Sequence, residues 1–245
     1  FVQVKNCVIP KVKDTLEVED LLGTLRVRLG ISRSGYKVNP GLYCVGNPSH
    51  TSPVLVTANY KLSFDTLRSS VSGKDVWLLV IDTRGVNVWC AAGKGTFSAD
   101  EIALQIKQSN LDKIVIHREL ILPQFAAVGV ALHDLKRKCG FKGVYGPIRA
   151  QDLPSYLERN KQADERMRSI TFSVGERLVL VPVEIALTWK ILLIITAASF
   201  VLSGFGPEIY SFQAALHRGL SVTGATMTGL AAGALFTPLV LPWLP

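Results

Sequence analysis

Val76-Trp77-Leu78-Leu79-Val80-Ile81 is an unbroken apolar run, with Gly73-Lys74-Asp75 before it and Asp82-Thr83-Arg84-Gly85 after it. So short a run with no polar interruption predicts a strand buried on both faces, as in a parallel sheet covered by helices. Upstream, Pro53-Val54-Leu55-Val56-Thr57 repeats the pattern, and Phe64, Leu67 and Val71 space a helix between the two runs, with Ser63 as its cap and Gly73 as its stop. Downstream, Ser98-Ala99-Asp100-Glu101 reads as a capping box for a helix that aligns Ile102 with Ile106. Lys113-Ile114-Val115-Ile116 then reads as a third buried strand, the stretch from about Ala126 to Lys138 as a helix stopped by Gly140, and Phe141–Tyr145 as a fourth strand. Ahead of all these, Thr24-Leu25-Arg26-Val27-Arg28 alternates and Asn39-Pro40-Gly41 marks a turn, so the opening of the chain reads as short strands and turns. The alternation of strands and helices predicts an α/β fold with a Rossmann-like, open, mostly parallel sheet.

Charge divides the chain in two. The net charge of +8 lies wholly within residues 1–177; beyond them only Lys190, Arg218, Glu184 and Glu208 are charged. Ile185–Gly204 and Leu220–Leu241 are apolar runs of membrane-spanning length, and Gly229-Leu-Ala-Ala-Gly233 has the spacing by which membrane helices pack closely. The expected architecture therefore continues from the sheet domain into α-helical transmembrane segments. Arg166, Arg168 and Arg177 near the first span predict a sheet domain on the cytoplasmic side of the inner membrane. The basic charge does not form Lys and Arg runs interleaved with aromatics, so no nucleic-acid partner is expected. The chain opens at Phe1 rather than a methionine, which implies processing or trimming. Cys7, Cys44, Cys90 and Cys139 are scattered, with no spacing for zinc or an iron-sulfur cluster in this chain.

Between the central run and the helix opened by Ser98 lies Val86-Asn87-Val88-Trp89-Cys90-Ala91-Ala92-Gly93-Lys94-Gly95-Thr96-Phe97, which reads as neither a good helix nor a good strand. Gly93-Lys94-Gly95-Thr96 is not a phosphate loop, because Val88 stands where the first glycine belongs and Gly95 where Ser or Thr must follow the lysine. No GxGxxG fingerprint follows any strand. In open α/β sheets ligands bind beyond the carboxyl ends of the strands, where this stretch falls together with residues 58–60, 117–124 and 146–149. A lone cysteine there can be a nucleophile, a redox thiol or a metal ligand, and its position alone leaves all three open.

The run Asn87-Val-Trp-Cys-Ala-Ala-Gly-Lys-Gly-Thr96 resembles the signature of the corrinoid protein of microbial mercury methylation, the HgcA family. The resemblance extends through Pro40–Pro48, Val54–Asp65, His117–Gln124 and Tyr145–Ala150 and covers most of residues 20–185. Several of these runs are shared with the large subunit of the corrinoid iron-sulfur protein of the acetyl-CoA pathway. The resemblance implies a cobalamin-type corrinoid with Cys90 as the lower axial ligand of cobalt. Asn87, Val88, Trp89, Ala91, Ala92, Gly93, Lys94, Gly95 and Thr96 would lie around the macrocycle, and Thr57, Asn59, Gly146 and Arg149 near its amides and nucleotide tail. It further implies a membrane-anchored methyltransferase that passes methyl from a Cys-ligated methyl-Co(III) corrinoid to Hg(II). The partners implied are a methyltetrahydrofolate-type methyl donor, a ferredoxin-like electron donor with a 4Fe-4S cluster, and the lipid bilayer.

The expected division is a corrinoid-binding α/β domain over residues 1–160, a linker over 161–184 and about two transmembrane helices over 185–245. The family carries more spans than that, which implies a chain truncated at its C-terminal end. Phe125-Ala-Ala-Val-Gly129 also departs from the family's small, glycine- and proline-containing run. Ala131 precedes Leu132-His133, so the Asp-x-His-x-x-Gly motif of another corrinoid class is absent and His133 is not the expected cobalt ligand. Two rival functions remain: a corrinoid methyl carrier of the acetyl-CoA (C1) pathway, and a non-enzymatic cofactor-binding membrane protein.

Overall fold

A computed structural model describes residues 1–4, 7–207 and 209–243 of the chain. They form two compact units, Phe1–Thr24 with Ser34–Ile170, and Leu25–Arg33 with Thr171–Pro245.

The first unit opens with a small antiparallel pair, β1 (Val2–Val4) and β2 (Cys7–Ile9). Helix α1 (Val18–Arg28) follows, and from Leu25 on its residues count with the second unit. The alternation at Thr24–Arg28, which predicts a strand, lies within this helix. Leu21, Leu22 and Leu25 extend the pattern at helical spacing, and the Asp20 carboxylate accepts the Glu17 amide at 3.0 Å at the helix start.

The main sheet has the order β3-β5-β4-β6-β7, from β3 (Gly41–Val45), β4 (Val54–Ala58), β5 (Val76–Ile81), β6 (Glu119–Leu122) and β7 (Lys142–Tyr145). β4, β5, β6 and β7 run parallel, and β3 is an antiparallel edge on β5. Every residue of β4 and β5 is buried, as their unbroken apolar character requires. One core layer holds Trp77, Leu79 and Ile81 against Phe97, Ile102 and Ile106; the other holds Leu78 and Val80 against Phe64, Leu67 and Tyr156.

Helix α2 (Lys61–Ser70) already begins at Lys61 with Tyr60 at the cap, so Ser63 lies inside it. The Cys90 stretch contains a short helix, α3 (Val88–Gly93), which its two glycines and tryptophan conceal from a propensity reading. α4 (Ala99–Ser109) starts where expected, with the Ser98 hydroxyl accepting the Glu101 amide. The Lys113–Ile116 run is not a strand. Asn110 takes a left-handed turn (φ 50°) into a short helix, α5 (Leu111–Ile114), that buries Leu111 and Ile114, and the third parallel strand is β6 instead. Two apolar residues three apart satisfy one buried helical face as well as they would a strand. The expected helix from Ala126 to Lys138 is broken into a 3-10 turn (Gln124–Val128) and α6 (Leu132–Cys139), with Gly129 and Val130 between them. Helix α7 (Leu153–Glu158) follows β7, and the unit runs on to Ile170, so Met167 and Arg168 in the stretch read as linker fold with it. Met167 is buried.

In the second unit α8 (Val174–Leu178) carries a capping box of Ser173 and Glu176 and leads to α9 (Val181–Ser203). A short β pair (Phe205–Gly206 with Ile209–Tyr210) connects α9 to α10 (Phe212–Ala231), which begins earlier than its apolar run, and a π turn over Ala232–Phe236 follows. Both helical segments are long and apolar enough to cross a membrane. A Cβ on Gly229 or Gly233 would meet nothing within 4 Å, whereas one on Gly219 would lie 2.7 Å from the Phe200 ring. The close approach of α9 and α10 is therefore at Gly219 rather than at the GxxxG pair. Glu208, one of the four charges of the tail, lies outside the described residues.

Candidate functional site

At the carboxyl ends of β4, β6 and β7 the first unit is cut by an apolar cleft of about 390 Å³. Thr57 at the end of β4, Asn87 and Val88 at the start of α3, Pro123 after β6, and Gly146 and Arg149 after β7 all line it. Five residues named from the sequence, Thr57, Asn87, Val88, Gly146 and Arg149, thus share one cleft at the edge where an open α/β sheet takes its ligand.

Cys90 stands on the rim rather than in the cleft. The Asn87 side chain caps α3 by accepting the Cys90 amide at 2.9 Å, which fixes the residue through its own backbone. From that start the short helix sends Trp89 outward, 62 % exposed, leaves Cys90 half-buried, and drives Ala91 and Ala92 into the core. Gly93, Lys94 and Gly95 are exposed, and Thr96 turns back so that its hydroxyl donates to the Ala91 carbonyl at 3.3 Å. The 3-10 turn after β6 packs against α3 so tightly that a Cβ on Gly129 would meet the carbonyl oxygens of Ala92 and Phe97 at 2.7 Å. Both are backbone atoms that cannot step aside, so the helix carrying Cys90 is clamped from beneath. No sequence motif marks Gly129; its role exists only once the turn meets α3.

The thiols of Cys44 and Cys139 differ in kind. Cys44 is buried in β3, Cys139 donates to the Leu135 carbonyl at 3.0 Å, and burial pushes both thiols up in pKa. Among the described residues no group of three or more His, Cys, Asp and Glu side chains could hold a metal ion.

Asn59 does not face the cleft. It is 2 % exposed, its carbonyl oxygen accepts from Thr83 and Gly85, and its amide donates to Asp82 at 2.9 Å. It therefore holds the loop after β5, which corrects its expected place near a cofactor's amides: a strand-end side chain can turn sideways to a neighbouring loop as readily as outward. Arg168, expected only as one of the basic charges near the first span, has a second place in the fold. Its guanidinium donates to Gln124, to the Tyr145 carbonyl at 3.1 Å and to the Gly146 carbonyl at 3.2 Å, tying together the segments that follow β6 and β7.

Residues 9–157 match the family model of the CO dehydrogenase/acetyl-CoA synthase delta subunit. The chain belongs to this family. The gamma subunit of the acetyl-CoA decarbonylase/synthase complex of Methanopyrus kandleri is 33 % identical over 153 residues, 60 % of this chain and 33 % of the relative. Gamma subunit 2 of Methanosarcina thermophila is 36 % identical over 132 residues, 52 % of this chain and 28 % of the relative. The gamma subunit of Archaeoglobus fulgidus is 30 % identical over 146 residues, 57 % of this chain and 30 % of the relative. The chain spans about a third of the length of these relatives. The family match takes in the sheet, the cleft and α3, and ends before α8, α9 and α10.

Proposed function

We propose that the first unit carries a corrinoid across the rim of the cleft, with the Cys90 thiolate facing its cobalt, and that the protein moves methyl groups in one-carbon chemistry. The observation that carries this reading is the placement of Cys90: a half-buried thiol on a capped, clamped helix beside the apolar cleft at the ligand edge of the sheet. When bound, the corrinoid would supply a cobalt centre that takes up and releases methyl, and Cys90 as a soft thiolate donor to it would favour release of methyl with its electron pair, as transfer to Hg(II) requires. The donor set fits such a group. Cys90 presents a half-buried thiol, exposed Trp89 offers a flat apolar face, and Gly93 and Gly95 leave open backbone beside it. The cleft lined by Thr57, Gly146 and Arg149 takes a polar appendage of the cofactor, while Asn87 keeps the Cys90 amide occupied so that the thiol alone is presented.

The methyl acceptor divides two readings. The names of the relatives support a carrier of the acetyl-CoA pathway type, working with protein partners in a complex. The likeness of Asn87–Thr96 to the mercury-methylation signature, together with two apolar helices outside the matched span, supports transfer to Hg(II) as substrate. In that second reading α9 and α10 anchor the protein in the cytoplasmic membrane, with the first unit on the cytoplasmic face. A methyltetrahydrofolate-type compound gives the methyl group, and a ferredoxin-like protein with a 4Fe-4S cluster supplies the low-potential electrons. The test uses the full chain in nanodiscs, loaded with hydroxocobalamin, as wild type and Cys90→Ala. Loss of the thiolate-ligated visible spectrum in the variant is expected, and an unchanged spectrum overturns the role of Cys90. Supplying the methylated protein with Hg(II), or with an acetyl-CoA synthase, decides the acceptor.

A further inference from the structure

Four donors and acceptors converge on the Asn59 side chain, and all of them belong to the loop after β5. Asn59 follows directly on β4, and its backbone amide donates to the Ile81 carbonyl at 3.0 Å, where β5 ends. Its side-chain oxygen accepts from the Thr83 amide at 3.1 Å, the Thr83 hydroxyl at 2.9 Å and the Gly85 amide at 2.9 Å. Asp82 accepts from the Asn59 side-chain amide and from the Arg84 amide, each at 2.9 Å. Arg84 (φ 59°) and Gly85 (φ 75°) are both left-handed, so the loop curls its amides around that single oxygen as backbone nests curl around an anion. Without an acceptor at that point, buried amides would be left unpaired and the left-handed Arg84 uncompensated.

From that curl the chain runs directly to Cys90. The fully buried Thr83 hydroxyl has one proton and two acceptors in reach, the Val86 carbonyl at 2.6 Å and the Asn59 oxygen at 2.9 Å, so it shares that proton between the strand end and the peptide that leads into Asn87. Asn87 then caps the Cys90 amide. The relay Asn59, Thr83, Val86, Asn87 thus connects the end of a central strand to the residue on the rim, from the buried pair Asn59 and Thr83 to the half-buried Val86 and Asn87.

We infer that Asn59 and Thr83 are positioning residues that set the pose of the Cys90 helix, and through it the presentation of the thiol to a cofactor on the rim. The inference rests on the proposed corrinoid reading for its consequence, but the relay itself is testable without a cofactor. Thr83→Val keeps the shape and deletes the hydroxyl, Thr83→Ser keeps the hydroxyl, and Asn59→Ala removes the shared acceptor. Each is made in the full chain with Cys7, Cys44 and Cys139 replaced by serine, and folding is checked by thermal unfolding. In the absence of corrinoid, Cys90 in Thr83→Val is expected to react about fivefold faster with a bulky aromatic disulfide, the equivalent of one lost buried hydrogen bond, while Thr83→Ser stays at the wild-type rate. With hydroxocobalamin added, the thiolate-ligated share of the visible spectrum falls in Thr83→Val and recovers in Thr83→Ser. A folded Thr83→Val variant with wild-type Cys90 reactivity overturns the inference, and this variant decides the matter if Asn59→Ala does not fold. Changed reactivity with no thiolate-ligated spectrum even in wild type instead leaves the relay standing and overturns the corrinoid reading.

Discussion

Strand β5 and helix α9 are alike in composition and opposite in circumstance. Both are dense in Leu, Ile and Val, yet every residue of β5 is buried, while Val183 is the one buried residue of α9 and Ile194 is 69 % exposed. The protein supplies the apolar environment of β5 itself, through helices on both faces of the sheet. It supplies almost none of the environment of α9, whose apolar surface far exceeds the patches that a water-soluble surface normally shows. Apolar composition thus states a demand, and the structure shows which part of that demand the chain meets.

The largest expected effect tests this contrast directly. Leu79 is wholly buried at the centre of the sheet, so Leu79→Ala should cost about 3 kcal/mol, measured by urea unfolding in detergent with the buried Trp77 as fluorophore. Ile194→Ala, on an exposed face of α9, should change the same transition by less than about 0.5 kcal/mol. On the proposed membrane-anchored reading, Ile194→Asp should instead deplete the protein from the membrane fraction, since a carboxylate near the middle of a span costs about 3 kcal/mol on insertion. Equal losses for the two alanine variants, or an unaltered membrane fraction for Ile194→Asp, would break the contrast.

A smaller effect concerns how the first unit treats its charges. Asp20, Lys61, Asp65 and Arg68 close a ring of ion pairs, and Arg68 also donates to the Lys13 and Thr15 carbonyls, which fastens the N-terminal segment to α2. Burial pulls the Asp20 carboxyl upward, but hydrogen bonds from Lys61, the Glu17 amide and Arg68 outweigh it and hold the pKa at about 2, against an ordinary 3.8. A folded value below the unfolded one means stability that is complete above about pH 4 and lost as the pH falls through about 2. Screened by solvent, it amounts to about 1 kcal/mol. Asp20→Asn should therefore lower the urea midpoint at pH 6 and converge with wild type near pH 2. A deficit that persists undiminished at low pH would show that shape, not charge, holds the ring.

The same comparison explains what the sequence disclosed. The all-buried run Val76–Ile81 could be read because six successive apolar residues between turn signals are too long for one helical turn and too short for a buried helix. The cleft residues Thr57, Gly146 and Arg149 could be placed because strand ends in a parallel sheet converge on one edge. Lys113–Ile116 misled because a buried helical turn and a buried strand make the same demand over so few residues. The side chains of Asn59 and Arg168 and the backbone at Gly129 act through partners 23 to 26, 22 to 44 and 32 to 37 residues away in the chain, and no local pattern encodes those distances. The Cys90 stretch lay between these cases: its glycines pointed to a site, its resemblance named a chemistry, and its helix became visible only with Asn87 at the cap.

The smallest effect separates two glycine positions on α10. The spacing of Gly229 and Gly233 is the kind that membrane helices use to approach one another, but neither faces a neighbouring atom within 4 Å. At Gly219 a methyl group would press on Phe200 of α9 at 2.7 Å, and an aromatic ring held between two helices cannot move without parting them. Gly219→Ala should thus loosen the α9–α10 pair by about 1 kcal/mol, read as a lower thermal midpoint of helix content in detergent. Gly229→Ala should leave that midpoint unchanged or raise it slightly, because alanine favours a helix over glycine by up to about 1 kcal/mol where nothing stands in its way. The opposite ranking would mean that the GxxxG face, not Gly219, carries the pairing. The exposed side of α9 that distinguishes it from β5 would then have to be redrawn.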